Sequence, residues 1–367
     1  MSSFRFNGLQ RLDWYIIRKF MLTFFIALLF MAILVIIVDI SEKIDDFIRL
    51  KAPLHDIIFV YYVNFVPFFM NQYSPMFVFL TVIFFTSKMT ADSEVVAILS
   101  NGISYHRFAL PYLISAIVIA SASVVLGQWV LPHANGERVE FEQKYNRWAK
   151  VRLGHDMHYK LENDHLVYLE SFSAYNNTAY NFTLEDLSGG RLKSKISAES
   201  AQYDTITGVW HLRNWMLREY DEGMRDHIRS GRQLDTTLSL TRDDFFMNKF
   251  TIQRLNKREL KHLIQAQKMR GDASVNRALI EMNNRYAMPF STIVLTIIGL
   301  ALCTKKKRGG MGFNLAAGTA LAFSYVLFMQ FSEMFVITDT LPANIAIWMP
   351  NVLYTIIAAV LYVKAPK

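Results

Sequence analysis

The chain has 367 residues, 52% of them hydrophobic and 19% charged, and a net charge of +8. Its single cysteine, Cys303, excludes any disulfide within the chain. The positive excess is gathered beside apolar stretches rather than spread over a polar face, which argues against a nucleic-acid-binding protein.

Six long apolar stretches lie at 16–38, 55–86, 107–130, 283–303, 312–336 and 343–363. Each holds the ~20 mostly apolar residues that a helix needs to cross a bilayer core. An insert at 133–282 divides them three and three and carries 44 of the chain's 70 charged residues, so it cannot lie in hydrocarbon. The expected fold is a polytopic α-helical membrane protein with six transmembrane helices (3+3) and one inserted domain. The boundaries are 1–132 for helices one to three, 133–256 for the inserted domain, and 257–367 for a connecting helix and helices four to six.

Arg5, Arg11, Arg18 and Lys19 precede the first span, which reads as a retained anchor rather than a cleaved signal. Residues 4–20 mix aromatic and basic side chains and either lie in the headgroup plane or begin the span. Lys305, Lys306, Lys307 and Arg308 sit between spans four and five, and Lys364 and Lys367 follow span six. Basic flanks mark the cytoplasmic side, so both termini are expected inside. The loops 39–54 and 337–342 and the large insert are then expected outside. Span two contains Asn64, Pro67 and Pro75, and its length is accommodated by a kink or tilt. No span carries the Asp/Lys/His series that a proton relay needs.

The loop 87–106 predicts a short amphipathic helix at about 90–102. Asp92 or Ser93 is placed to cap it and Glu94 to sit in its first turn. Val95, Val96, Ile98 and Leu99 follow, and Asn101-Gly102 ends it. By physics alone it either rests on the membrane or docks a cytoplasmic partner.

Within the insert, strand-like runs occur at 164–170, 178–184, 197–204, 208–213, 214–220 and 234–240, with alternation at Tyr180/Phe182/Leu184 and Trp210/Leu212. Turn signals at Asn176-Asn177, Ser188-Gly189-Gly190, Thr207-Gly208 and Asp221-Glu222-Gly223 separate them. This pattern predicts a sandwich or partly open barrel, a fold able to hold an acyl chain. Residues 257–282 return to helical character. There is no Walker A sequence and no G-x-S-x-G elbow, and the H-x-x-H at His155 and His158 reads as surface histidines. No catalytic residue, bound cofactor or metal is expected; the chain is expected not to be an enzyme.

Several residues, in order, resemble the LptF/LptG permeases of the lipopolysaccharide export ABC transporter, over nearly the whole chain. They are Leu12-Asp13-x-Tyr15-Ile16 and Asp39 in span one, Asp92-Ser93-Glu94 with Ala97 and Ser100-x-Gly102 in the loop, and Gly127-Gln128-Trp129-Val130-x-Pro132 after span three. Val209-Trp210-x-Leu212 in the insert and Glu281-x-x-x-Arg285-x-x-x-Pro289 entering span four complete the set. The Leu-Asp opening and the Gly-x-Trp-Val exit are more similar to the G subunit.

The resemblance implies a jellyroll-like periplasmic β domain, a homologous partner permease and two copies of an LptB-like cytoplasmic ATPase, which would use the ATP. It also implies hand-over of lipopolysaccharide from the periplasmic leaflet of a Gram-negative inner membrane to LptC/LptA-like bridge proteins. By matching, Asp92, Ser93, Glu94, Ala97 and Gly102 fall on the ATPase-coupling helix. Related G subunits carry bases in the outer part of span one; here Ile33–Val38 is apolar, and Lys43, Arg49 and Lys51 are the candidate substrate-binding residues. Two other readings stand beside this one: a membrane sensor or scaffold with a periplasmic ligand-binding domain, and an ABC permease for another lipid. The latter usually places its large domain after the first span, which the 3+3 division disfavours.

Overall fold

The computed structural model describes residues 10–145, 155–161, 164–173, 176–205, 207–220, 226–238, 240, 249–270, 274–304 and 310–365. The chain divides into two compact units, residues 1–42, 57–135 and 279–367, and residues 43–56 and 136–278. Arg5, the run Lys305–Arg308, Lys367 and the turn at Asp221-Glu222-Gly223 lie outside the described residues.

Helix α1 spans Arg11–Arg49. It contains neither glycine nor proline, and it continues through the charged residues after 38 that were expected to form a loop. It stops where Lys51 turns left-handed at φ 51°. There Ala52 N–H donates to the Phe47 carbonyl at 2.9 Å, the wide closing bond of a Schellman cap, and Pro53 follows. Helix α2 covers Leu54–Ala91 and includes a π-helical segment, Ile57–Tyr62. Helix α3 is Glu94–Ser100. Helix α4 begins with Tyr105–Val125, passes through a second π segment at Leu126–Val130 and continues as Leu131–Tyr145. After the sheet come α5 (Lys249–Gln253), α6 (Lys257–Arg270), α7 (Val275–Cys303), α8 (Gly310–Ile337), α9 (Ala343–Ala346) and α10 (Met349–Val363). Among the described residues, six helices are long and apolar enough to cross a membrane, α9 and α10 counting together.

The first unit packs around α7. Ala287, Val294, Leu295 and Ile298 of α7 are buried with Phe79 and Ile83 of α2, Tyr325 of α8 and Tyr354 and Ala358 of α10. Lipid tails are as apolar as leucine, so close packing rather than water exclusion holds such helices together. Two glycines allow the approach. A Cβ on Gly299 would stand 3.0 Å from Val82 Cγ1, and one on Gly318 would fall 2.0 Å from Ile83 Cδ1. Asn351 ties three helices: its side chain accepts from Tyr325 Oη at 3.0 Å and donates to the Ala287 carbonyl at 2.9 Å. A second cluster joins Ile16, Phe20 and Phe24 of α1 to Val78, Val82 and Phe85 of α2 and to Phe108 and Tyr112 of α4.

The second unit contains the expected β domain. Its described strands are β1 (His155–Lys160), β2 (His165–Ser173), β3 (Thr178–Asp186), β4 (Ser194–Tyr203), β5 (Trp210–Tyr220) and β6 (Asp226–Thr236). They form one antiparallel sheet in sequential order, a meander. Leu169, Phe172, Phe182, Trp210 and Leu212 fill its buried face, and Trp210 Nε1 donates to the Leu240 carbonyl at 3.1 Å. Gly231 on β6 lies opposite Trp215, whose indole occupies the space a Cβ would need.

The sheet carries a crease. In β2 the buried apolar residues are Val167 and Leu169, then Phe172; in β3, Ala179, then Phe182; in β4, Ala198, then Ala201. A strand's side chains alternate strictly, so each of these strands switches its inward face by one residue. The switch falls on one transverse row, Glu170–Asn181–Glu199–Asn214–Arg232, which the paired register of every neighbouring couple passes over. Asn181 and Asn214 are left-handed at φ 48° and 50°, a conformation asparagine tolerates better than most residues. Their side chains donate to Glu170 and, at 2.6 Å, to Glu199.

The crease corrects two sequence expectations. The runs 208–213 and 214–220 are a single strand, interrupted in pattern but not in path at Asn214. Tyr180 is exposed while Phe182 is buried, so Tyr180, Phe182 and Leu184 do not share one face. The strand placed at 234–240 is β6, which lies earlier, and β1 was not anticipated. Beyond the sheet, Asn256 and Glu259 form a reciprocal capping box at the start of α6, the Asn256 N–H donating to Glu259 Oε2 at 2.9 Å and the Glu259 N–H to Asn256 Oδ1 at 3.0 Å.

Candidate functional site

The loop helix α3 is held by its apolar side. Val95 is fully buried in the cluster formed by α1, α2 and α4, and Ile98 and Leu99 pack on it. Val96, Ala97 and Ser100 are exposed, as are Asp92, Ser93 and Gly102. Asp92 ends α2, and Ser93 is left-handed at φ 63°. Neither side chain makes the capping hydrogen bond expected of it; no side-chain cap is formed at Ser93. A left-handed non-glycine residue costs about 1–2 kcal/mol, so this turn is strained, and its strain fixes where Glu94 leaves the backbone. Gly102, at φ +82°, with Asn101 as the C-cap, closes the helix as the sequence predicts.

Glu94 reaches the first turns of α1. Tyr15 Oη donates to Glu94 Oε2 at 3.1 Å, and Lys19 Nζ stands 3.9 Å from Oε1. Lys19 also donates to the Tyr15 hydroxyl and lies over its ring, 4.2 Å from the centroid. Immediately beyond α3, Ser104 caps α4 by accepting from the Arg107 N–H, and Arg107 grips Asp13 of α1 with two hydrogen bonds of 2.6 and 2.5 Å. Asp13 is buried and its Oδ2 also accepts from the Gln10 N–H at 2.7 Å. The bidentate pair is short and partly shielded, the kind of ion pair that fixes geometry. The loop helix is thus tied to α1 both at its own first residue and just past its end.

Asp39, further along α1, is buried and accepts from Tyr61 Oη at 3.1 Å and Tyr62 Oη at 3.0 Å. Both tyrosines lie in the π segment of α2, whose extra residue per turn brings consecutive side chains to one carboxylate.

The three candidate substrate bases are not drawn into one cluster. Lys43 is ion-paired with Glu142 at 3.2 Å and mostly buried, while Arg49 ends α1 and Lys51 forms its left-handed cap, both exposed. Lys43 is therefore already engaged by a carboxylate. Among the described residues, no group of three or more His, Cys, Asp or Glu side chains could hold a metal ion.

Sequence reasoning singled out Glu94 but not its contacts with Tyr15 and Lys19, nor the Arg107–Asp13 pair, nor the roles of Tyr61, Tyr62 and Glu142. The available signal was that Tyr15 and Lys19 sit four apart on one helical face, where side chains meet. Other residues singled out by resemblance have plain structural work: Glu281 and Arg285 pair at 2.9 Å within α7, and Trp210 and Leu212 are sheet core.

Residues 14–364 match the family model described as lipopolysaccharide export system permease LptF/LptG. A protein of Aquifex aeolicus (strain VF5), itself described only as uncharacterized, is similar at 22% identity over 305 residues, covering 81% of this chain and 82% of that one.

Proposed function

Because the chain belongs to the LptF/LptG family of lipopolysaccharide export permeases, and is therefore an inner-membrane transport permease of an exporter with partner subunits, we propose that it is driven by a separate ATPase docked on α3. Its N and C termini face the cytoplasm. Two ATPase copies serve this chain and a homologous partner permease, lipopolysaccharide enters from the periplasmic leaflet, and the creased β domain passes it to a periplasmic bridge. Lys43, Arg49 and Lys51 meet the glycolipid phosphates, Lys43 by exchange with Glu142.

One observation carries the docking assignment. The loop helix is anchored by Val95, aimed by a strained turn at Ser93, and presents Val96 and Ala97 beside a half-exposed Glu94. Burial of Val95 accounts for the helix's attachment, but not for the strained turn or the exposed Val96 and Ala97 beside Glu94, since exposed ion pairs add about 0–1 kcal/mol and the turn costs more than that. Glu94→Lys is expected to insert and fold, keep the β domain protease-resistant, and lose the ATPase on mild purification from membranes. Retention of a normally coupled ATPase by this variant would remove the docking role.

A further inference from the structure

Glu94 is not simply displayed; it is held from α1. The Tyr15 hydroxyl stands between an ammonium and a carboxylate, accepting from Lys19 and donating to Glu94. A phenol so placed aligns all three groups, because its single proton goes to the carboxylate while its lone pair faces the ammonium. Tyr15 is 39% exposed, and the Lys19 and Glu94 side chains are 47% and 34% exposed. Contacts this open add little to stability; what they provide is direction.

The second tie, Asp13 to Arg107, is different in kind. It is bidentate, its carboxylate is buried, and it joins the first turn of α1 to the first turn of α4. A force on α3 therefore meets a firm joint at Asp13 and a yielding one at Tyr15 and Lys19. Beyond them α1 runs without glycine, proline or any break to Asp39, where Tyr61 and Tyr62 hold it. At about 1.5 Å per residue, Tyr15 and Asp39 are ~36 Å apart along one unbroken helix, and helices kink at prolines, glycines or inserted turns, which α1 lacks.

We infer that Tyr15 and Lys19 are positioning residues that carry the movement of the ATPase-docked α3 helix into α1. The inference rests on the docking role of Glu94 and adds where the motion goes next. α1 moves as a rod about the Asp13–Arg107 joint, and the Asp39–tyrosine contact is the far end at which that movement is felt.

The test uses the complete permease–ATPase complex in nanodiscs loaded with fluorescent lipopolysaccharide, comparing Tyr15→Phe, Lys19→Met and Lys19→Arg. ATPase copurification is expected to stay at the wild-type level in all three. Lipopolysaccharide released per ATP hydrolysed is expected to fall about two- to fivefold in Tyr15→Phe and Lys19→Met, the range a partly exposed ion contact carries. Lys19→Arg restores it, and the Tyr15→Phe/Lys19→Met pair falls no further than either alone. Unchanged release per ATP in both single variants overturns the inference, as does a loss of ATPase copurification in parallel with release, or no rescue by arginine. If Glu94→Lys loses the ATPase while Tyr15→Phe stays fully coupled, docking stands and only the positioning role is gone. If Glu94→Lys keeps the ATPase, both fall together.

Discussion

Helices α1 and α7 are both long and apolar, yet 11% of the most apolar window of α1 is buried within the chain against 61% of that of α7. Hydropathy runs the opposite way to burial, the more apolar α1 being the less buried; their neighbours decide which is enclosed. α7 is surrounded by α2, α8 and α10 and closed by Gly299, so its side chains are fixed by shape. α1 touches the unit along a narrow flank, Ile16, Phe20 and Phe24, and turns Leu22, Phe25, Ile26, Leu29, Phe30 and Ile33 outward. The lesson is that one helix is the packed axis of the unit and the other is its open face, whose apolar side chains no other part of the unit covers.

The largest test of this contrast is in α7. Ile298→Ala is expected to lower stability by about 2–4 kcal/mol through the cavity it leaves, read as unfolding midpoint in detergent. Next, Gly299→Val drives a side chain toward Val82 and Phe79 and is expected to cost about 1–3 kcal/mol by overpacking. Asn351→Leu, which leaves Tyr325 Oη without its acceptor, is expected to cost about 1–2 kcal/mol. In α1, Leu29→Ala is expected to shift stability by under about 0.5 kcal/mol while reducing recovery of the partner permease. Equal losses for Ile298→Ala and Leu29→Ala would abolish the distinction between axis and face.

The smallest effect is on pH and belongs to the sheet. The Ser188 N–H holds the Asp186 carboxyl below the usual carboxylate range, and the His211 contact does the same for Asp235. Lowered carboxylate values stabilise the fold above the ordinary carboxylate range and lose that contribution as pH falls through the depressed value. Amide protection in β3 and β6, where Asp186 and Asp235 lie, should therefore fall in acid before that of the helices. Simultaneous loss of both would show the helices to be no more acid-resistant than the sheet.

The spans were legible because a run of ~20 apolar residues has few soluble explanations, and the end of α3 because Asn101-Gly102 obeys helix-terminus chemistry; at its start Glu94 falls in the first turn as expected, but the turn is made by a left-handed Ser93 without the expected cap. The extension of α1 to Arg49 was hidden, since hydropathy stops where charge begins while helix geometry does not. The Tyr15–Glu94, Arg107–Asp13 and Tyr61–Asp39 contacts join residues 79, 94 and 22 positions apart, and no local pattern encodes a partner at such distances. The strand count failed at Asn214 for a different reason: the alternation rule was read as continuous where the chain uses a left-handed residue to reset it.

That reset would be visible to chemistry. A thiol-labelling scan along β3 or β5, one introduced cysteine at a time, would not give a single odd–even rhythm. It would record one rhythm up to Asn181 or Asn214 and the opposite rhythm after it, so that two adjacent positions label and then the beat resumes out of phase. The β domain thus presents its inner lining as two short plates meeting at a hinge line. Along a single strand the core is therefore supplied by even-numbered residues on one plate and odd-numbered residues on the other.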